Sequence, residues 1–164
     1  MVAHAIDPYT KRLQCLLRHI EDVKDNCELM GIRLIDRGEF DFGKTLIQHG
    51  LIHDNSKFTG LEWEQLNGYS DHLLKEAIQE HVSKNPHHPE YWGQIGGIHD
   101  MDRIYVAEMV ADWSARASEF GTGLCQWIEE SAMDRYHFYK HDKVYENIQE
   151  FLSILLETPF SRGN

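Results

Sequence analysis

The run His53-Asp54-Asn55-Ser56-Lys57 joins an imidazole directly to a carboxylate. Divalent transition metals accept this pair of ligands, and a further histidine and carboxylate would complete a four-ligand site that keeps positions for water or substrate. The dipeptide alone is weak evidence, because His99-Asp100 and His141-Asp142 repeat it in a chain with 11 histidines. The significance of the first pair therefore depends on which other ligand types accompany it.

Candidate partners of this pair lie both before and after it in the chain. His19 stands beside an apolar helical stripe and can point inward, although a hydrogen-bonded core histidine fits the same position. Asp112 lies in the apolar segment Glu108–Trp113, where a carboxylate is costly to desolvate unless it is paired or bound to a metal. The alternative is a solvated Asp112 paired with Arg116 one turn further on.

Three more histidines, His81, His87 and His88, offer nitrogen ligands for a second metal. Pro86 and Pro89 flank the last two and restrict their backbone, which helps to preorganise ligands. A histidine-bearing surface loop is the alternative interpretation of this segment.

Helices must position these residues. Asp7-Pro8 predicts a helix start, and apolar residues recur at helical spacing from there to Gly31. A second helix is predicted over about 42–52, which places His49 and His53 one turn apart. No β-alternation persists, so we predict an all-α, single-domain protein over residues 1–164. Further helices are predicted near 60–67, 71–83, 101–119, 124–140 and 142–157.

Composition narrows the function classes. The formal net charge of −11 argues against a duplex nucleic-acid binder, which needs a basic surface. The three cysteines lack a Cys-x-x-Cys spacing, and no signal peptide or membrane-spanning window is found, so a cytoplasmic location is expected. Three large aromatic residues are expected to pack in the core rather than to form a platform on which bases stack: Trp127, Tyr136 and Tyr139.

The order of an early histidine, a His-Asp pair and a late aspartate resembles the HD-domain metal-dependent phosphohydrolase superfamily. This resemblance implies an HD-type helical bundle in which His19, His53, Asp54 and Asp112 hold a metal. The pattern His-Asp-x-x-Lys with later histidines resembles the binuclear branch, which includes cyclic-dinucleotide phosphodiesterases and diiron oxygenases. There the resemblance assigns Lys57 to the lysine of that branch, and it assigns the second metal to His81 with His87 or His88.

Over roughly residues 10–116, four local motifs resemble an uncharacterised HD-like family of bacteria and phages. That resemblance implies a fold and a metal site but no substrate. The motifs are Leu17-Arg18-His19, His53–Phe58, Asn85–Trp92 and Glu108–Trp113.

Together these features predict a phosphohydrolase that acts on a nucleotide or related small phosphate ester through a metal-activated water. One or two divalent ions (Mn, Fe, Co or Mg) are expected as cofactors. Asp54, Lys57 and Glu108 are the predicted catalytic residues, with Glu108 accepting a proton or orienting a ligand histidine. Lys57, Arg18 and Arg116 are the predicted phosphate contacts.

Two other functions remain open at this stage. The same ligand set and lysine occur in HD-type diiron oxygenases, which would act on a small polyol or phosphonate. A non-enzymatic helical interaction module stabilised by a metal is the other. The sequence does not determine the oligomeric state.

Overall fold

The computed structural model describes residues 7–66, 71–93 and 95–157. These parts of the chain are helical and contain no strand, which confirms the predicted all-α class. The longer helices are α1 (Pro8–Asp36), α2 (Phe40–Ile52), α3 (Gly60–Leu66), α4 (Asp71–Lys84), α6 (Arg103–Phe120) and α9 (Lys143–Leu156). Three single turns are α5 (Pro89–Trp92), α7 (Leu124–Trp127) and α8 (Met133–Tyr136). Two 3₁₀ turns cover Asn55–Phe58 and Gly97–Asp100.

One predicted helix is wrong in its continuity and its end. The segment predicted as a single helix over 124–140 consists of α7, a π-helical stretch at Ile128–Ala132, and α8. It ends at Tyr136, because His137 adopts a left-handed backbone with φ 56° and Phe138 turns into the core. Helical periodicity continues through such a bulge, so the apolar pattern alone did not mark it.

The first helix begins where the sequence predicts. The carboxylate of Asp7 accepts hydrogen bonds from the backbone N–H groups of Tyr9 and Thr10, with Pro8 in the first turn. The helix continues past Gly31 to Asp36, and a turn around Gly38 leads into α2. Among the described helices, none combines the length and apolar character needed to cross a membrane.

Helix α6 forms the centre of the bundle. It packs against α1, α2 and α9, and its segment Val106–Trp113 is buried on every side. Glu108 and Asp112 therefore project into the interior. The apolar face of α9 packs on α6 and α1. Arg33 of α1 donates hydrogen bonds to backbone carbonyl oxygens at the C-terminal end of α9, including that of Ile154 at 2.6 Å.

Helices α1 and α2 approach each other closely at glycines. A Cβ atom added to Gly43 would lie 2.8 Å from Ile35 Cγ1 and would also collide with the backbone oxygen of Gly31. A Cβ on Gly50 would lie 2.6 Å from Cys27 Cβ. This contact fixes α2 against α1, and so it fixes the end of α2 relative to His19.

We expect Gly43→Ala to destabilise the protein by about 2 kcal/mol, measured by urea unfolding. Overpacking typically costs about 1–3 kcal/mol, and the better helix propensity of alanine offsets at most about 1 kcal/mol of this. Gly123→Ala is the matched control, since the nearest atom to its Cβ would be Gln126 Cβ at 3.7 Å. Equal unfolding free energies for the two variants would contradict the close packing of α1 on α2.

Candidate metal centre

The structure brings all seven predicted metal ligands into one cluster in the interior. They come from α1, the end of α2, α4, the loop before α5, and α6. Only His88 is more than marginally exposed. The seven residues are His19, His53, Asp54, His81, His87, His88 and Asp112.

The His-Asp pair owes its position to an unusual backbone turn. His53 directly follows the last residue of α2, and Asp54 has φ 56° and ψ 18° in the left-handed region. Aspartate enters this region more readily than most residues, at a cost of about 1–2 kcal/mol. Such strain is typical of functional sites. The turn brings the Asp54 carboxylate beside the ring of His53.

Asp54 occupies the middle of the cluster and faces imidazoles on both sides. Its Oδ2 lies 3.5 Å from His53 Nε2 and 3.9 Å from His19 Nε2. Its Oδ1 lies 3.1 Å from His81 Nε2 and 3.5 Å from His87 Nε2. Each carboxylate oxygen thus faces its own pair of histidines.

The remaining two ligands extend the cluster on either side. Asp112 Oδ1 lies 3.1 Å from His19 Nε2. On the other side, the Nε2 atoms of His81 and His88 are 2.9 Å apart. At this distance the two nitrogens share a hydrogen bond, and a cation bound to both would replace it.

Several of these ligand atoms are buried and lack a hydrogen bond to any described residue. A buried polar atom without a partner is costly, and a bound cation removes that cost. The orphaned atoms are His19 Nε2, His53 Nε2, His87 Nε2, Asp54 Oδ1 and Asp112 Oδ1. Within each of three overlapping groups of these residues, the ligand atoms lie within 4.8 Å of one another. The buried cluster can therefore hold a metal ion.

Glu108 accepts hydrogen bonds from three histidine side chains. Its Oε1 accepts from His53 Nδ1 at 2.9 Å and from His87 Nδ1 at 3.2 Å, and its Oε2 accepts from His49 Nδ1 at 2.8 Å. An ionised carboxylate can only accept, so each Nδ1 must carry the proton. This leaves Nε2 of His53 and His87 as the atom presented to the cluster.

A second carboxylate, which the sequence analysis missed, lies beside His81. Glu62 of α3 places its Oε2 2.8 Å from His81 Nδ1, and Asn85 Nδ2 donates to the backbone oxygen of His81 at 2.8 Å. No local spacing links Glu62 to His81. The role of His49 had a sequence signal in its one-turn spacing from His53, and Glu108 was predicted to orient a ligand histidine, but no local spacing pairs His49 with Glu108.

The electrostatics of the cluster favour ionised carboxylates. Burial alone would raise the pKa of Asp54, but the imidazoles of His81 and His87 beside its Oδ1 and the positive charge of Lys57 hold it well below its usual range. The pKa of Glu108 is lowered in the same way, with burial opposed by the histidines that donate to it. Both groups therefore carry negative charge at neutral pH, which suits them to binding or supporting a cation.

Two adjacent histidines have opposite pKa shifts. Burial disfavours the charged form of His87, but the carboxylates of Asp54 and Glu108 beside its two ring nitrogens outweigh this and raise its pKa to about 10. A metal bound at Nε2 would therefore displace a proton from His87. Burial and the charge of His87 lower the pKa of His88 to about 3, so His88 is a neutral imidazole with a lone pair available.

The predicted phosphate contacts differ in their placement. Lys57 Nζ lies 2.5 Å from Asp54 Oδ2 and borders a cavity of about 740 Å³. Arg116 borders the same cavity, and it pairs with Glu119 at 2.8 Å, so the alternative pairing with Asp112 is wrong. Arg18 is exposed and does not border this cavity.

A second cavity of about 370 Å³ meets the first beside the cluster. His88, Asp112 and Arg116 border both cavities. The larger one carries four cationic side chains: Lys11, Arg12, Lys57 and Arg116. It also carries two acidic residues, Glu62 and Asp112, and two of the cations are paired with carboxylates, Lys57 with Asp54 and Arg116 with Glu119. Cationic side chains therefore outnumber acidic ones around this cavity.

Comparison with known proteins identifies a family but no function. Residues 9–158 match the model of a family described as a family of unknown function (DUF5662), and the chain belongs to that family. No curated protein and no solved structure matches the chain.

Proposed function

We propose that this member of DUF5662 is a metal-dependent phosphohydrolase that acts on a nucleotide or related small phosphate ester. The observation that carries the proposal is the buried Asp54 carboxylate with a pair of histidines at each oxygen, next to a cavity lined by Lys57 and Arg116. The order of the ligands along the sequence, which resembles HD-domain phosphohydrolases, supports the same activity.

The cluster would hold two divalent ions, since Asp54 has a pair of histidines at each oxygen. His19, His53 and Asp112 would join Asp54 Oδ2 at the first ion. At the second ion, Asp54 Oδ1 would be joined by three histidines: His81, His87 and His88. When bound, such ions supply Lewis-acid chemistry, lowering the pKa of water toward neutrality and polarising a phosphoryl group.

The side chains around the cluster have separate tasks in this proposal. Lys57 presents its ammonium group to the cavity beside Asp54, where it would bind a non-bridging phosphate oxygen. Arg116, which borders the same cavity, would bind a second oxygen. Glu108 acts through His53 and His87, since both of its oxygens accept from imidazoles and its side chain is 7% exposed. We therefore assign Glu108 to ligand positioning rather than to proton transfer with substrate.

A cytoplasmic location fits this activity. All three cysteines are free thiols, which supports a reducing compartment. The substrate itself must be small, because the cavity of about 740 Å³ is within the range of small-molecule sites.

The proposal is tested by metal analysis of the purified protein and a screen of phosphate esters. Nucleoside mono-, di- and triphosphates and a cyclic dinucleotide would be incubated with Mn²⁺, Fe²⁺, Co²⁺ or Mg²⁺, and released inorganic phosphate or nucleotide products measured. Metal-dependent release that chelator abolishes is the expected result. A protein that binds none of these ions on titration would defeat the site assignment.

We expect Lys57→Met to lower the rate of phosphate-ester cleavage by about 100-fold while bound metal is retained. Loss of one charge-stabilising donor typically costs about 10²–10³ in rate, and lysine is not a ligand while protonated. Lys75→Met, an exposed residue of α4, is the control for loss of a positive charge. An unchanged rate in Lys57→Met would remove this residue from the reaction.

The diiron oxygenase remains the second candidate, and one observation favours it. Five of the seven ligands are imidazoles, a ligand type well suited to iron. Measurement of oxygen consumption separates the two activities. Fe²⁺-dependent oxygen uptake without phosphate release would replace the hydrolase with the oxygenase.

A further inference from the structure

The smaller cavity beside the cluster has aromatic walls. Trp113 stacks on Tyr136 with ring centroids 5.8 Å apart, and it meets Trp127 edge-on at 5.0 Å. These three rings border the cavity of about 370 Å³, hereafter the ring cavity. The expectation that Trp127 and Tyr136 serve packing alone is therefore incomplete, because each also faces open space. Tyr139, by contrast, is exposed and stacks on His141.

The ring cavity contains a hydrogen-bond acceptor without a partner. Glu90 borders the cavity, and its Oε1 lies 3.3 Å from Arg135 Nη2. Its Oε2 is buried and has no hydrogen bond to any described residue. If the Glu90 side chain turned toward the cavity, this oxygen would accept a hydrogen bond from an N–H group of a ligand. Tyr136 stays a neutral phenol, because burial raises its pKa to about 12.

The ring cavity and the metal cluster share walls. His88 and Asp112, two of the predicted ligands, border the ring cavity directly, as does Arg116. A molecule with its phosphate at the cluster would therefore extend its organic part into this space. The volume lies at the lower end of the range for ligand sites, about 300–1,000 Å³.

We propose that the ring cavity binds the planar nitrogenous base of a nucleoside phosphate, with Trp127 and Tyr136 against the ring and Glu90 accepting from an N–H of the base. This inference rests on the proposed phosphohydrolase activity, for which it specifies the substrate class. Stacking on aromatic side chains and a charge-assisted hydrogen bond are the two interactions that together recognise such a base.

The test compares the binding of AMP, CMP and GMP with that of ribose 5-phosphate, which lacks the base. Isothermal titration would be performed on the full chain, with and without Mn²⁺. We expect at least one of the three nucleotides to bind about tenfold or more tightly than ribose 5-phosphate, since stacking on one aromatic residue contributes about 5- to 100-fold. Equal affinity for all four compounds would overturn the proposal.

Two variants test whether the tighter binding of nucleotides than of ribose 5-phosphate arises in the ring cavity. Trp127→Ala should reduce this preference about fivefold or more, whereas Trp63→Ala, a partly exposed tryptophan that lines none of the described cavities, should leave it unchanged. Glu90→Gln keeps the side-chain shape and should also weaken base binding, so it tests the site even if Trp127→Ala fails to fold. Equal losses in Trp127→Ala and Trp63→Ala, or an unchanged preference in Glu90→Gln, would contradict the assignment.

Catalytic assays separate the failure of this inference from the failure of the hydrolase proposal. Phosphate release from ribose 5-phosphate as fast as from nucleotides would leave the hydrolase standing and overturn the role of the ring cavity. Base-dependent binding without phosphate release under any of the four metals would support the ring cavity and overturn the hydrolase.

Discussion

Replacing Asp54 with asparagine should remove most bound metal and lower phosphate release at least about a hundredfold. Loss of an outer hydrogen-bond partner of a ligand already costs about 10–100-fold, and Asp54 is itself the carboxylate that faces both pairs of histidines. The side-chain amide of asparagine is neutral and has only one oxygen, so it cannot bind a cation at each of two oxygens as the carboxylate can. Metal content would be measured on the purified variant after dialysis, and activity on whichever ester wild type cleaves.

Asp100→Asn provides a matched control for Asp54→Asn. It makes the same chemical change in a second His-Asp pair, at an exposed residue outside the cluster. Wild type and Asp100→Asn should both show a rise in melting temperature on metal addition, because a ligand that binds only the folded state stabilises it. Asp54→Asn should show little rise. Wild-type metal content in Asp54→Asn would refute the central place of this residue.

The second large effect is expected at Glu108. Glu108→Gln should weaken metal binding by about 10–100-fold, although Glu108 is not among the predicted ligands. It should also lower the free energy of unfolding by about 3 kcal/mol, since a buried charge-assisted network is broken. The physical reason is that glutamine places an N–H₂ group where one oxygen of Glu108 now accepts from His49 or from His53 and His87.

Titration with Mn²⁺ would measure the affinity of Glu108→Gln, and urea unfolding its stability. Glu146→Gln is a suitable control because Glu146 is an exposed residue of α9 whose carboxylate pairs only with Lys143 among the ion pairs found in the described residues. An affinity within twofold of wild type in Glu108→Gln would show that the imidazoles keep their orientation without this carboxylate. In that case the positioning role would have to be abandoned.

Much of the candidate site was predictable from the sequence because ligand chemistry depends on residue type. His53 and Asp54 are adjacent in the chain, His19 stands beside an apolar stripe from which it can point inward, and Asp112 lies in an apolar segment, although a solvated Asp112 stayed an alternative. The helices themselves were largely predictable, since hydrophobic periodicity and caps such as Asp7 act over a few residues.

The partners of these residues were not predictable, because they are distant in the sequence. Glu62 meets His81 only through the packing of α3 against α4, and Glu108 meets His49 only where α6 crosses α2. On its helix Arg116 has Asp112 within reach on one side and Glu119 on the other, and only the structure shows that it pairs with Glu119.

By itself, the sequence determined the all-α class, the acidic character of the chain and the set of residues able to bind a metal. Tertiary structure alone decided that each oxygen of Asp54 faces its own pair of histidines, and that Trp127 and Tyr136 border a cavity as well as packing on Trp113. The physical reason is one of range. Propensity, capping and periodicity act between near neighbours, whereas cavities and ligand orientations arise where helices far apart in the chain are packed together.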